Sequence, residues 1–211
     1  MDRSIQIDTF SRFTQVSRET ISSLVKYENY LIEANKNLNL IGKSTINNIW
    51  YRHFLDSVQV IDFINKKDDC VVDLGSGAGL PGIVLAILNK DRKIGIKVKL
   101  IEKSSKKANF LNDVVNKLEL NAEIINKNVF EDVNKFSDNV FIARAFKPLK
   151  IILELIHNKA QNWKKIFVFL GKSGKTELLG ASKIWDIEYK QRVSVTSDDS
   201  IIIEINRLKK K

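Results

Sequence analysis

The spacing of apolar residues changes near residue 70, dividing the chain into two kinds of structure. Before it, Ile21, Leu24, Val25, Leu31 and Ile32 fall on one helical face, as do Trp50, Phe54, Val58 and Ile61, with the polar stretch NKNLNLIGKST between the two helices. From Cys70 onward CVVDL, VKLIE, AEIIN and NVFIARA are short, β-branched and mostly apolar, as expected of strands covered on both faces. Helical patterns lie between them. In the clearest, SSKKANFLNDVVNKLEL, the stripe is Leu111, Val114, Val115 and Leu118, and Ser104 or Ser105 can cap the start. This alternation predicts an α/β fold with a doubly wound, mostly parallel sheet. After Leu149 come a helix (IILELIHNKA), a strand (KIFVFL), a polar segment, and two strand-like runs, IEYKQRVSV and SIIIEIN, separated by TSDD. These last two predict an antiparallel pair at the sheet edge. The expected organisation is a helical extension over residues 1–66 packed on an α/β domain over residues 67–211.

With 211 residues, 44% of them hydrophobic, and only 9 Gly and 2 Pro, the chain can bury a sizeable core, which excludes disordered and collagen-like classes. One cysteine and two histidines supply neither an internal disulfide nor a structural zinc site, so no metal is expected. No segment approaches the ~18 uncharged apolar residues of a membrane span, and MDRSIQIDTFSRFTQ lacks the apolar core of a signal peptide. A cytoplasmic protein without a membrane partner is expected. Charge adds a direction. Residues 1–69 carry 9 charges of each sign, while residues 70–160 hold 15 basic against 10 acidic, so the excess of +10 lies in the last two-thirds. Such an excess suits a polyanion such as nucleic acid. A compositional bias towards lysine is the alternative, and only 8 of the 35 basic residues are arginine.

Candidate chemistry concentrates in VVDLGSGAGLPGIVLAIL, residues 71–88. A buried strand ends at Asp73 and Leu74, glycines follow at 75, 77, 79 and 82, and Pro81 suits the first position of a helix. This arrangement places a ligand beyond the carboxyl end of the first parallel strand. A dinucleotide fingerprint would need glycine at position 80, where the chain has Leu80. The segment instead resembles the D-x-G-x-G-x-G motif of Rossmann-like, class I S-adenosylmethionine-dependent methyltransferases. That resemblance implies a cofactor packed on the loop and Glu102, at the end of the next strand, accepting hydrogen bonds from its ribose hydroxyls. GKSGKTE (171–177) imitates a phosphate-binding loop but lacks its leading glycine, and reads as a basic loop in which Lys172 could touch RNA.

Elimination narrows the acceptor. Methylation at C5 of a pyrimidine needs a thiolate at the ligand end of the strands, and Cys70 starts the first one. The prolines, Pro81 and Pro148, cannot form the Pro-Pro clamp used on exocyclic amines. The fourth strand ends in Ala143, Arg144, Ala145 and Phe146, without the aspartate of the ribose 2′-hydroxyl enzymes. A ring nitrogen with a free lone pair, such as N7 of guanine, remains and requires no general base.

NLNL, RHFLDS (52–57), VVDLGSGAGLPGIVLAI, SSKKANFLNDV and ARAF (143–146) together resemble the glucose-inhibited division protein B family, also called ribosomal RNA small-subunit methyltransferase G, over about residues 20–205. The resemblance implies methylation of guanine N7 in 16S rRNA or the small ribosomal subunit, with S-adenosyl-L-methionine as donor and no DNA partner. It implies cofactor contacts at Asp73, Gly75, Gly77, Leu80, Glu102, Val129, Phe130 and Arg144. Arg144 is the candidate catalytic residue, because its donor fork could bond the guanine O6 edge or a neighbouring phosphate and aim N7 at the methyl group. Arg52, His53, Lys147 and Lys172 are candidate substrate contacts. His53 shares a helical face with Asp56 and Ser57, which suits a hydrogen-bonded helix contact under the site as well as it suits substrate binding. The chain departs from some members at Asn128, where they carry arginine. A methyltransferase for a small molecule or protein, and a silent RNA-binding domain, are the alternative functions.

Overall fold

The computed structural model describes residues 1–132 and 136–211. Helices α1 (Arg3–Thr14) and α2 (Arg18–Leu38) come first. A 3-10 turn (Lys43–Asn48), a π-helical turn (Trp50–Leu55) and the short α3 (Asp56–Val58) follow. Trp50, Phe54, Val58 and Ile61 are all buried, as their spacing predicts, although no single regular helix carries them.

The rest is a seven-stranded sheet flanked by helices. In chain order it contains β1 (Cys70–Leu74), α4 (Gly82–Arg92), β2 (Lys97–Ile101), α5 (Ser105–Leu118), β3 (Ala122–Ile125) and β4 (Val140–Arg144). It continues with α6 (Leu149–Lys159), β5 (Lys165–Leu170), α7 (Gly174–Ser182), β6 (Trp185–Ser194) and β7 (Ser197–Lys210). The strand order is β3-β2-β1-β4-β5-β7-β6, with β1 to β5 parallel and β7 antiparallel to both neighbours. Three details depart from expectation. The last strand inserts between β5 and β6, and most of TSDD belongs to it, so the reversal falls at Val195 and Thr196. GKSGKTE is not simply a loop, since its second half opens α7, anchored by buried Leu178 and Ala181. Neither serine hydroxyl caps α5; the Glu102 carboxylate takes the Ser104 N–H instead, at 2.8 Å.

The order reverses between β1 and β4, which opens a crevice at their carboxyl ends. The N-terminal helices close one side of it. Phe10, Trp50, Phe54 and Tyr27 form a chain of ring contacts 5.2–5.4 Å apart, ending where the Tyr27 hydroxyl donates to the Ala78 carbonyl of the glycine loop at 2.6 Å. Behind the loop, Gly82 lets α4 start directly on the sheet. A Cβ there would lie 2.7 Å from Asp73 Oδ2 and 2.8 Å from Leu100 Cδ2. Gly82→Ala should therefore lower stability by about 1–3 kcal/mol through overpacking. At roughly 2–4 °C per kcal/mol for a chain of this size, a melting scan should fall by about 2–12 °C, and an unchanged midpoint would refute this packing.

Candidate functional site

The crevice is a cavity of about 660 Å³, within the ~300–1,000 Å³ range of small-molecule sites. Loops from the carboxyl ends of four parallel strands line it, and residues 40–42 with His53 form the opposing wall. Gly75, Gly77, Leu80, Glu102, Val129, Phe130, Arg144, His53 and Lys147, all singled out from the sequence, meet here. Sequence reasoning did not assign Ile41, Lys103, Lys107 or Phe146 to it. Only tertiary placement brings these to the cavity, although Phe146 stood in the quoted ARAF run.

Amides of the loop are engaged by neighbouring carboxylates and carbonyls. Gly77 N–H donates to Glu102 Oε2 at 2.9 Å, Gly79 N–H to the Ser76 carbonyl at 2.7 Å, and Gly82 N–H to Asp73 Oδ2 at 3.0 Å. A pyrophosphate would find a carboxylate where it needs N–H donors, which agrees with the failed dinucleotide register. Glu102 is held by two backbone amides and still has lone pairs for ligand hydroxyls at the cavity wall. Gly75, at φ +70°, permits the closest approach: a Cβ there would stand 2.1 Å from the Phe146 ring. Phe146 in turn stacks on Phe130 at 5.8 Å, and Phe130 is 41% exposed, so an aromatic face is open beside the cavity. A hydroxyl-binding carboxylate beside an exposed aromatic face fits a nucleoside-bearing cofactor.

Asp73 takes a supporting position outside the cavity wall. It is buried beneath the loop, and burial pushes its carboxyl up to about 7, although the Gly82 N–H and the charge of Arg144 oppose this.

Arg144 is clamped from below. Its Nε donates to Asp56 Oδ2 at 2.8 Å, and its Nη2 donates to the Arg52 carbonyl at 2.9 Å and faces His53 Nδ1 at 3.2 Å. Asp56 Oδ1 accepts from Ser194 and Thr196 hydroxyls, each at 2.9 Å, and from Gln59 Nε2 at 3.0 Å. Hence the fork expected to face a guanine is largely turned inward, and Nη1 alone has no hydrogen-bond partner among the described residues. Among the described residues no side-chain hydrogen bond joins His53 to Asp56 or Ser57 within the RHFLDS segment; His53 and Asp56 each meet Arg144 instead. Arg52 lends its carbonyl while its side chain remains exposed. Burial and then the Arg144 charge lower His53 to about 4, so it is neutral at pH 7 and accepts at Nδ1 while Nε2 bonds Thr45 at 2.8 Å. Lys172 is exposed beyond β5 and lines neither this cavity nor its smaller neighbour. Cys70 begins β1 at the end away from the cavity, its thiol pushed up to about 12, chiefly by burial. It is no nucleophile for this site.

The family described as GidB, rRNA small subunit methyltransferase G, matches residues 20–202. A protein of Pelagibacter ubique named ribosomal RNA small subunit methyltransferase G is 39% identical over 198 residues, covering 93% of this chain and 92% of its own. One of the same name from Rickettsia akari is 36% identical, covering 93% and 98%. Among solved structures, a SAM-dependent methyltransferase from Aquifex aeolicus aligns with a TM-score of 0.56 at 18% identity, over 83% of this chain and 97% of that one. M. capricolum TrmK in complex with S-adenosyl-homocysteine aligns at 0.54 and 21% identity, over 71% and 66%. The structural likenesses establish a class I methyltransferase fold.

Two buried groups of the site give stability opposite pH dependences. Asp73, raised from 3.8 to about 7, holds its proton in the folded state where the unfolded chain has lost it, so its contribution declines as pH rises from about 4 to 7. His53, lowered from 6.5 to about 4, contributes in the opposite sense and is lost on acidification through the same window. Asp73→Asn keeps an acceptor for Gly82 N–H and deletes one of the two slopes. The melting temperature of the wild type relative to Asp73→Asn should therefore increase between pH 7 and pH 5. A gap that stays constant across that range would show that Asp73 is ionised throughout.

Proposed function

Because the chain belongs to the rRNA small subunit methyltransferase G family, we propose that it methylates N7 of a guanine in 16S ribosomal RNA, with S-adenosyl-L-methionine as donor. The substrate is the RNA itself or the small ribosomal subunit, and the cytoplasm is where it would be met. One observation carries the reading of the site: Arg144 borders the cavity that Glu102 and the glycine loop line, clamped so that one free amino group remains to meet an acceptor.

The fit to the donor rests on residues present. Glu102 would accept the ribose hydroxyls, Val129 and Phe130 would lie beside the adenine, and Gly75, Gly77 and Leu80 would pack against the rest. When bound, the donor supplies a methyl group on a sulfonium, and its S–CH₃ electron pair stays on sulfur as N7 forms the new bond. Guanine N7 carries no proton, so the protein has none to remove. His53 agrees with this, since a neutral imidazole at about 4 that is bonded on both nitrogens is no working base at pH 7. The guanine becomes cationic, so Arg144 cannot act by stabilising the developing charge. Its task is orientation, through Nη1 on the guanine edge or on a neighbouring phosphate. Lys147, at the cavity rim, and Lys172, beyond β5, would add attraction for the RNA chain rather than chemistry.

Two outcomes test this. Saturating donor, at 100 times its dissociation constant, should stabilise the native state by about 2.7 kcal/mol, a rise of roughly 5–10 °C in melting temperature. Glu102→Gln should erase most of that rise, and stabilisation by NAD instead of S-adenosyl-L-methionine would overturn the assignment of the cofactor. In methyl transfer to small-subunit rRNA, read by mapping 7-methylguanosine, Arg144→Ala should lose on the order of 100-fold in turnover. Arg144→Lys should recover little, because lysine cannot reproduce the bonds to Asp56, His53 and the Arg52 carbonyl. Turnover near wild type in Arg144→Ala would remove Arg144 from the mechanism.

A further inference from the structure

A second cavity, of about 210 Å³, adjoins the first, and the two share Arg144 and Ala145 as a common wall. Its lining comes from segments far apart in sequence: Arg52 and Asp56, the ends of β4 and β5, and the β6–β7 reversal with Ser194, Thr196, Ser197 and Ser200. Arg52 is exposed and has no ion-pair partner among the described residues, and its charge helps to hold His53 low. Arg144 offers its unengaged Nη1. Asp56, the one acid in the lining, has Oδ2 taken by Arg144 and Oδ1 taken by Gln59, Ser194 and Thr196. The Ser197 and Ser200 hydroxyls are half-buried and make no hydrogen bond among the described residues. Asp198 and Asp199, at the start of β7, are exposed and lie outside the cavity lining.

Two guanidiniums and two free hydroxyls in one lining, with the local carboxylate already saturated, make a site for a compact oxyanion. The volume is below the ~300 Å³ at which pockets for drug-sized ligands begin, so a phosphate group fits and a whole nucleotide does not. On the footing that the substrate is RNA, we propose that this cavity is a subsite for one phosphodiester of the RNA chain next to the acceptor nucleotide, contacted by Arg52, Arg144 Nη1, Ser197 and Ser200. Phosphate contacts fix register and base contacts specify. Because Arg144 walls both cavities, a phosphate seated in one sets where the neighbouring base enters the other.

The test is titration of the full chain with a small-subunit rRNA fragment over a range of salt concentrations. Arg52→Ala deletes one phosphate contact and leaves the backbone carbonyl that Arg144 uses. The slope of log Kobs against log salt should then become shallower by about 0.7, the value for one contact on a single strand. Ser200→Asp sets a carboxylate in the lining and should weaken RNA binding by about tenfold or more. Neither variant should alter the thermal shift produced by the donor. Arg207→Ala, which removes a charge paired with Asp186 and Glu188 at the other end of the hairpin, should leave the salt slope unchanged. Wild-type slope in Arg52→Ala together with wild-type affinity in Ser200→Asp would overturn the subsite, even if the wild type methylates RNA. A reduced slope in Arg52→Ala with no methyl transfer by the wild type would uphold the subsite and overturn the enzymatic reading. Failure of the wild type to bind RNA would overturn both.

Discussion

The ion pair between Arg144 and Asp56 joins three segments that the chain leaves up to 140 residues apart. Arg144 ends β4, Asp56 follows the π-helical turn, and the hydroxyls that hold the other oxygen of Asp56 come from the β6–β7 hairpin. The two side chains are only 16% and 14% exposed, so salt screens the pair poorly. Exposed pairs contribute about 0–1 kcal/mol, whereas truncating one partner of a buried pair costs about 3–5 kcal/mol, and this pair lies nearer the second case. The far edge of the sheet thereby helps to fix a side chain at its centre, on the wall shared by the two cavities.

That placement depends on an unusual backbone just beyond it. Ala145 adopts φ +50°, a left-handed conformation that costs roughly 1–3 kcal/mol outside glycine. The turn reverses the chain at the end of β4, and Phe146, two residues after Arg144, lies on Gly75 across the switch point. No residue with a Cβ fits at position 75 while Phe146 lies there, so the glycine of the first strand's loop and the aromatic of the fourth strand's loop specify each other. The strain at Ala145 is offset by the clamp on Arg144 and by the stack of Phe146 on Phe130.

Much of this was legible in the sequence because β-branched runs and helical stripes are local signals. The strands beginning at Cys70, Ala122 and Lys165 fall where their runs predict. Insertion of β7 between β5 and β6 was not legible, since it is decided by pairing across more than 30 residues. Within the expected helical extension α1 lacks an apolar stripe to delimit it: its inward positions are Gln6, Phe10 and Thr14, and Gln6 is accommodated by bonds to the carbonyls of Met1 and Asn47. At the site, the glycine loop could be read from spacing and Glu102 from the resemblance that loop carries, whereas the supporting position of Asp73 follows from its burial beneath the loop, which spacing does not encode. The second cavity is assembled from four separate segments, and no local pattern announces it.

The basic excess reaches the mouth of the cavity and is not confined to it. Within the strands Lys97 pairs with Glu123, Lys99 with Asp138 and Lys165 with Asp68, while Lys66, Lys67 and Lys164, just before β1 and β5, have no acidic partner among the described residues. At the carboxyl ends, Lys103, Lys107 and Lys147 border the donor cavity with no acidic partner among the described residues, and Lys127 alone among the cavity lysines has one, Asp132 at 3.3 Å. Unpaired lysines at both ends are what a compositional preference for lysine supplies, so their number alone does not single out a polyanion. What distinguishes the cavity end is the arrangement, with lysines at the rim and the Glu102 and Asp56 carboxylates in the linings of the two cavities. Positive potential at the mouth attracts a polyanion, while carboxylates within keep that potential from opposing a cationic donor and a product that becomes cationic.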